Sequence, residues 1–137
     1  MTIKEKEQQQ LSPGQENARA HVDNVCALYV RYLEGMITSD EEVEEVQEEA
    51  RELALSVQVQ SGWQTPGQTL SPEEGCILLT TGGPALRLLV ELDVDAAPCS
   101  CELQWADWGT PWQHFHLTEA EDQAMDWFAE LFWYGEA

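Results

Sequence analysis

Two short pairs of residues carry the metal-ligand chemistry of this chain: Cys99-x-Cys101 and His114-x-His116. On a β-strand, residues two apart share a face, so each pair would present two thiols or two imidazoles on one side. If the two strands were neighbours, a Cys2His2 zinc site would be geometrically conceivable. Neither spacing matches the usual C-x2-C of structural zinc sites, and strand cysteines are more often small buried hydrophobes. A Cys-His nucleophilic pair would also need an oriented base and an oxyanion hole, and no residues mark them. Asp107 is another candidate carboxylate, but a lone Asp before a Gly turn normally accepts backbone N–H groups. The chain has no G-x-S-x-G, P-loop, H-E-x-x-H or dinucleotide fingerprint, and Gly82-Gly83-Pro84 reads as a strand turn. The expectation is a protein that is not an enzyme, with no catalytic residue, no metal and no cofactor.

Between those pairs lies "QWADWGTPWQ", with Trp105, Trp108 and Trp112 accounting for three of the six tryptophans. Trp105 alternates with Leu103 and Cys101, which assigns it to a core-facing strand position. Trp108 and Trp112 flank the Gly109-Thr110-Pro111 turn. They suit either an interface, where Trp is a favoured anchor, or the end of the sheet against a closing helix.

Charge is the strongest compositional signal. There are 26 acidic residues against 6 basic ones, for a net charge of -20. Binding to nucleic acid by phosphate neutralisation is close to excluded, and anionic membranes are disfavoured. Such a field steers the protein toward basic partners or cations. Residues 40 to 52 carry eight carboxylates and one arginine. Over a helix roughly 20 Å long this is about one negative charge per 2.5 Å, against about one per 1.7 Å in duplex DNA. Glu41, Glu45, Glu48 and Glu52 follow one another along one helix face, with Glu42 and Glu49 beside them. Glu-rich helices are common as solvated faces, and Glu near a helix N-terminus is favoured by the dipole. The excess continues, however: residues 52 to 137 hold 14 acidic residues and one basic residue.

The elements that position these groups follow from periodicity. Residues 1 to 11 are polar and Gln-rich, and read as a disordered tail ahead of a single domain over 12 to 137. Ser12-Pro13 starts a helix, with Gln15 completing a capping box. Ala18, Val22, Val25, Leu28 (or Tyr29), Tyr32 and Met36 form its stripe, and Gly35 is a plausible terminator. Ser39 and Glu42 suggest a second capping box, opening a helix to residue 55. Together they form an acidic antiparallel hairpin over residues 12 to 55. Residues 56 to 117 then alternate as an antiparallel β-meander of four to five strands, with one helical turn conceivable at 71 to 74. Thr118 and Glu121 cap a closing helix over 118 to 134, in which Ala124, Trp127, Phe128, Leu131 and Phe132 make a wide apolar face. The fold class is α+β, with that helix packed on the sheet. Four cysteines without an apolar export segment read as reduced thiols in a cytoplasm, and no run approaches the roughly 20 apolar residues of a membrane span.

"LALSVQVQSGWQTPG", "ILLTTGGPALRL", "ADWGTPW" and "FAELFWYGE", in that order, resemble a family of small proteins encoded by phages, prophages and other mobile elements of proteobacteria. The likeness covers residues 53 to 136 and leaves the hairpin as the variable part. The family's third strand usually lacks the Cys-x-Cys present here, and a Cys often precedes its Gly-Gly. The resemblance brings no catalytic residues. It implies a mobile-element setting in which small acidic proteins inhibit host defence, anti-CRISPR proteins among them. The expected function is an acidic plug, acting in the host cytoplasm on the basic groove of a CRISPR or other defence complex. Glu41, Glu42, Glu45, Glu48, Glu49, Glu52, Trp108 and Trp112 would be the contact residues. The alternatives are a structural or assembly protein that oligomerises through the hairpin, a homodimer being one such state, or a small metal protein using Cys99, Cys101, His114 and His116.

Overall fold

The computed structural model describes residues 11–135. Almost all of the expected tail, residues 1 to 10, lies outside them, as do the last two residues. Helix α1 runs Pro13–Thr38 and α2 runs Asp40–Arg51. Five strands follow: β1 Ser56–Gln60, β2 Glu74–Thr80, β3 Ala85–Leu92, β4 Pro98–Ala106 and β5 Gln113–His114. Helix α3, Glu119–Glu130, closes the fold. The strands pair antiparallel in the order β1-β2-β3-β4-β5, each beside its sequence neighbour. The expected α+β architecture is therefore present.

Helices α1 and α3 cover one face of the sheet. Ile77, Leu88, Val90 and Leu103 from the strands meet Val22, Val25, Met125 and Phe128 from the helices, all essentially inaccessible to water. Trp105 belongs to this core, as its alternation requires. Trp127 packs on Tyr29 and Tyr32 of α1, with ring centroids 5.4 and 5.2 Å away. Tyr134 then packs against β2, its hydroxyl donating to the Ala129 carbonyl at 2.6 Å. Its ring lies where a Cβ on Gly75 would come within 2.7 Å, so β2 needs glycine at that crossing.

Both terminal capping boxes form as the sequence suggests. Ser12 and Gln15 exchange bonds at α1, and Thr118 and Glu121 do so at α3. The expected box at Ser39 does not form. Ser39 is the single joint between two helices, its N–H closing α1 on the Gly35 carbonyl, and its side chain makes no cap bond. Gly35 does not terminate α1, which continues to Thr38. It is buried at the crossing with α2, where a Cβ would meet Val43 and Glu42 at 3.2–3.3 Å. Met36 lies past that seam and is exposed.

Other boundaries are shorter than expected. Helix α2 stops at Arg51 rather than 55, and α3 at Glu130 rather than 134. Residues 71 to 74 form no helical turn, because the Glu73 N–H bonds the Gln60 carbonyl and its carbonyl accepts from Leu92. Strand β5 keeps only two residues.

Candidate functional site

Six of the eight carboxylates over residues 40 to 52 divide into two groups. Arg31 of α1 reaches across the hairpin and bonds Glu49 at 2.9 Å and Glu42 at 3.3 Å. Those two bonds, Glu49 first, raise the guanidinium's pKa, and both glutamates are partly neutralised. Glu41, Glu45, Glu48 and Glu52 stand on the outer face, all exposed. No ion pair among the described residues involves any of these four. With α2 about 18 Å long at 1.5 Å per residue, they form a continuous anionic row.

The four arginines of the described residues are all held internally. Arg19 bonds Glu121 and Asp23 and lies over the Phe115 ring. Arg31 is spent within the hairpin. Arg51 Nε donates to the Leu131 carbonyl at 3.1 Å, tying α2 to the end of α3. Arg87 donates to Gln104 at 2.9 Å and stacks on Trp112, with Cζ 4.1 Å from the ring centroid. The sequence has two lysines, Lys4 and Lys6, ahead of the described residues.

The sheet face turned away from the helices carries two adjoining grooves of about 870 and 720 Å³. Glu74, Glu91 and Glu102 line the first, and Gln58, Cys76 and Arg87 the second. Negative charge therefore extends over this side of the molecule as well.

The Asp-Trp-Gly-Thr-Pro-Trp turn serves architecture and leaves one aromatic ring free. Asp107 Oδ1 accepts the Gly14 N–H at 2.6 Å, fixing the first turn of α1. Its own N–H donates to the Thr110 hydroxyl at 2.9 Å, and the Thr110 N–H returns to the Asp107 carbonyl. Gly109 supplies the positive φ of 76° that closes the turn. Trp112 is 36% exposed and engaged by Arg87, whereas Trp108 is 82% exposed with its Cβ against Gly83. Trp63 and Trp133 are also highly exposed, and sequence reasoning passed over both. Trp63 sits in a turn-rich segment with no apolar residue two positions away. Trp133 lies outside the closing helix's apolar stripe.

The pieces of the conceived Cys2His2 set do not converge. Strands β4 and β5 are neighbours, but His114 Nδ1 lies 3.0 Å from Glu102 Oε2 on the groove side and its ring meets His116 edge-on. Cys101 faces the helices, its Sγ 3.1 Å from Asp126 Oδ1. Cys99 Sγ points to the Glu91 carbonyl at 3.3 Å. Burial, and then the bond to Asp126, push the Cys101 thiol well above its usual range. Burial also raises Cys26 and Cys76, so these thiols are held away from the nucleophilic thiolate form. Among the described residues, no helix is long and apolar enough to cross a membrane.

No protein-family model, curated protein or solved structure matches this chain.

Proposed function

We propose that this protein is a phage or mobile-element inhibitor of host defence, anti-CRISPR-like, which occupies the basic nucleic-acid-binding groove of an effector complex without catalysis. The observation that carries the reading is the row Glu41, Glu45, Glu48 and Glu52, exposed and without a cationic partner among the described residues. Glutamates three and four apart repel by a few tenths of a kcal/mol per pair, and a complementary basic groove relieves that repulsion. With every described arginine committed internally, the surface offers phosphates little and guanidinium-rich grooves much. Effector complexes hold their nucleic acid in positively charged channels. The exposed Trp108 supplies local fit beside the electrostatic steering, and the motif likeness over residues 53 to 136 supports the mobile-element setting.

The test is binding of the purified protein to a CRISPR effector complex across a salt series, with target DNA as competitor. The expected result is competition with DNA and an affinity that falls steeply with salt, since exposed charges are screened over about 10 Å at 0.1 M. Joint replacement of Glu41, Glu45, Glu48 and Glu52 by Gln should weaken binding by at least about 10-fold, a loss of about 1.4 kcal/mol. An affinity indifferent to both salt and the four substitutions would sink the proposal.

A second reading draws on a different observation. Val30, Leu33 and Ile37 lie in one exposed apolar row on α1, within the helical hairpin. A protein that assembles through its hairpin would bury that row against a second copy. A mass measurement showing a stable dimer, dispersed by Ile37→Glu, would favour it. A monomer at all concentrations removes it.

A further inference from the structure

We propose that Cys101 of β4, with Asp122 and Asp126 of α3, forms a binding site for a zinc-class divalent cation. The inference stands apart from the proposed inhibitor role and rests on where the fold brings three side chains from two elements. Cys101 shares the helix-facing side of β4 with Leu103 and Trp105, and α3 packs along that side. Asp122 and Asp126 are one helical turn apart, so their carboxylates emerge on one flank, over the strand. The thiol sulfur and one oxygen of each carboxylate lie within 4.8 Å of one another. Donors around a tetrahedral zinc, at about 2.3 Å for sulfur and about 2.0–2.2 Å for oxygen, stand about 3.5 Å from each other. Cys101 Sγ and Asp126 Oδ1 are already 3.1 Å apart, and an Asp122 carboxylate oxygen lies within 4.8 Å of both.

The surroundings add donors. A cleft of about 90 Å³ opens beside the cluster, lined by Cys99, Cys101, Asp126 and Glu130. It leaves room for water to fill a fourth coordination position. Helix α3 contains no basic residue, and none of Asp122, Asp126 and Glu130 forms an ion pair among the described residues. A bound cation would offset this local repulsion and clamp α3 to β4. Binding exchanges the thiol proton, which Cys101 shares with Asp126, for the cation, and the proton leaves to solvent. Sulfur among the donors selects Zn²⁺, Co²⁺ or Cd²⁺ over Mg²⁺ and Ca²⁺, which prefer all-oxygen shells.

Cobalt is the probe. Titrating Co²⁺ into the reduced full-length protein under exclusion of air should give a sulfur-to-cobalt charge-transfer band that saturates at one equivalent. Zn²⁺ should abolish the band and a large excess of Mg²⁺ should leave it. Cys101→Ser should remove it. Asp122→Asn, at an exposed position where folding is not at stake, should weaken cobalt binding by at least about 10-fold. It should also reduce the rise in melting temperature that Zn²⁺ gives the unmodified protein. Absence of the band, its survival in Cys101→Ser, or its displacement by Mg²⁺ would each overturn the site, the last placing the ion on the diffuse acidic surface.

Discussion

Asp107 was legible in the sequence as an acceptor of backbone N–H groups, but its partner was not. Gly14 lies 93 positions away, and only the folded sheet brings them together. Because that carboxylate satisfies an otherwise unpaired N–H of the first turn, Asp107→Ala should cost about 1–2 kcal/mol, read from urea unfolding. Glu121 makes a different prediction. Its bond from the Thr118 backbone N–H, then its bond from Arg19, hold the carboxyl below its usual range. A folded-state value below the unfolded one means the stabilisation is complete above the ordinary glutamate value. It is lost as pH falls through the lowered folded value. Stability measured from pH 7 downward should therefore fall less steeply below about pH 4.3 in Glu121→Gln than in the unmodified protein. Ala96 has φ +62° in the β3–β4 turn, where a Cβ is unfavourable. Ala96→Gly should be neutral or stabilising by up to about 1 kcal/mol, despite the greater freedom glycine brings to the unfolded chain. The Cys101–Asp126 approach could not be seen in the chain, since no local pattern links a strand residue to a helix 25 positions later.

At the scale of elements, the helical hairpin, the meander and the closing helix were all legible, because apolar spacing changes from three or four residues to two and back again. Their ends were not. Gly35 carries a terminator's residue type, yet it was chosen by packing: α2 crosses α1 there too closely for a side chain. Gly35→Leu should therefore separate the helices and cost about 1–3 kcal/mol in denaturant unfolding, while an exposed change such as Glu34→Ala should have little effect. The Ser39 cap failed for a related reason. A one-residue joint must serve both helices: Ser39 closes α1 through its N–H, and its hydroxyl makes no bond to α2. Strand β5 is short because the chain turns toward α3 after two paired residues, with Phe115 drawn under Arg19 on the helix side.

For the whole molecule, the net charge was readable directly, but its division into spent and unspent carboxylates was not. Arg31 removes Glu42 and Glu49 from the free row by reaching across the hairpin, a contact set by the helix crossing and not by spacing within α2. One substitution set then separates stability from recognition. Replacing Glu41, Glu45, Glu48 and Glu52 with Gln should raise the melting temperature of the free protein, by relieving repulsion, while weakening the partner complex. Added salt should act with the same two signs, raising thermal stability and lowering affinity.

The near absence of lysine has a practical consequence for mapping any complex this protein forms. Within this sequence, amine-reactive cross-linkers find lysines only at Lys4 and Lys6, ahead of the described residues, and so are blind to every surface described above. Carbodiimide coupling reverses the situation. It activates this protein's carboxylates and joins them without a spacer to lysines of a partner, so each recovered link places a named glutamate in direct contact. A lysine-lined groove seated on α2 would be recorded as bonds to Glu41, Glu45, Glu48 and Glu52, with this protein supplying only the acid half of every bond formed from the described residues.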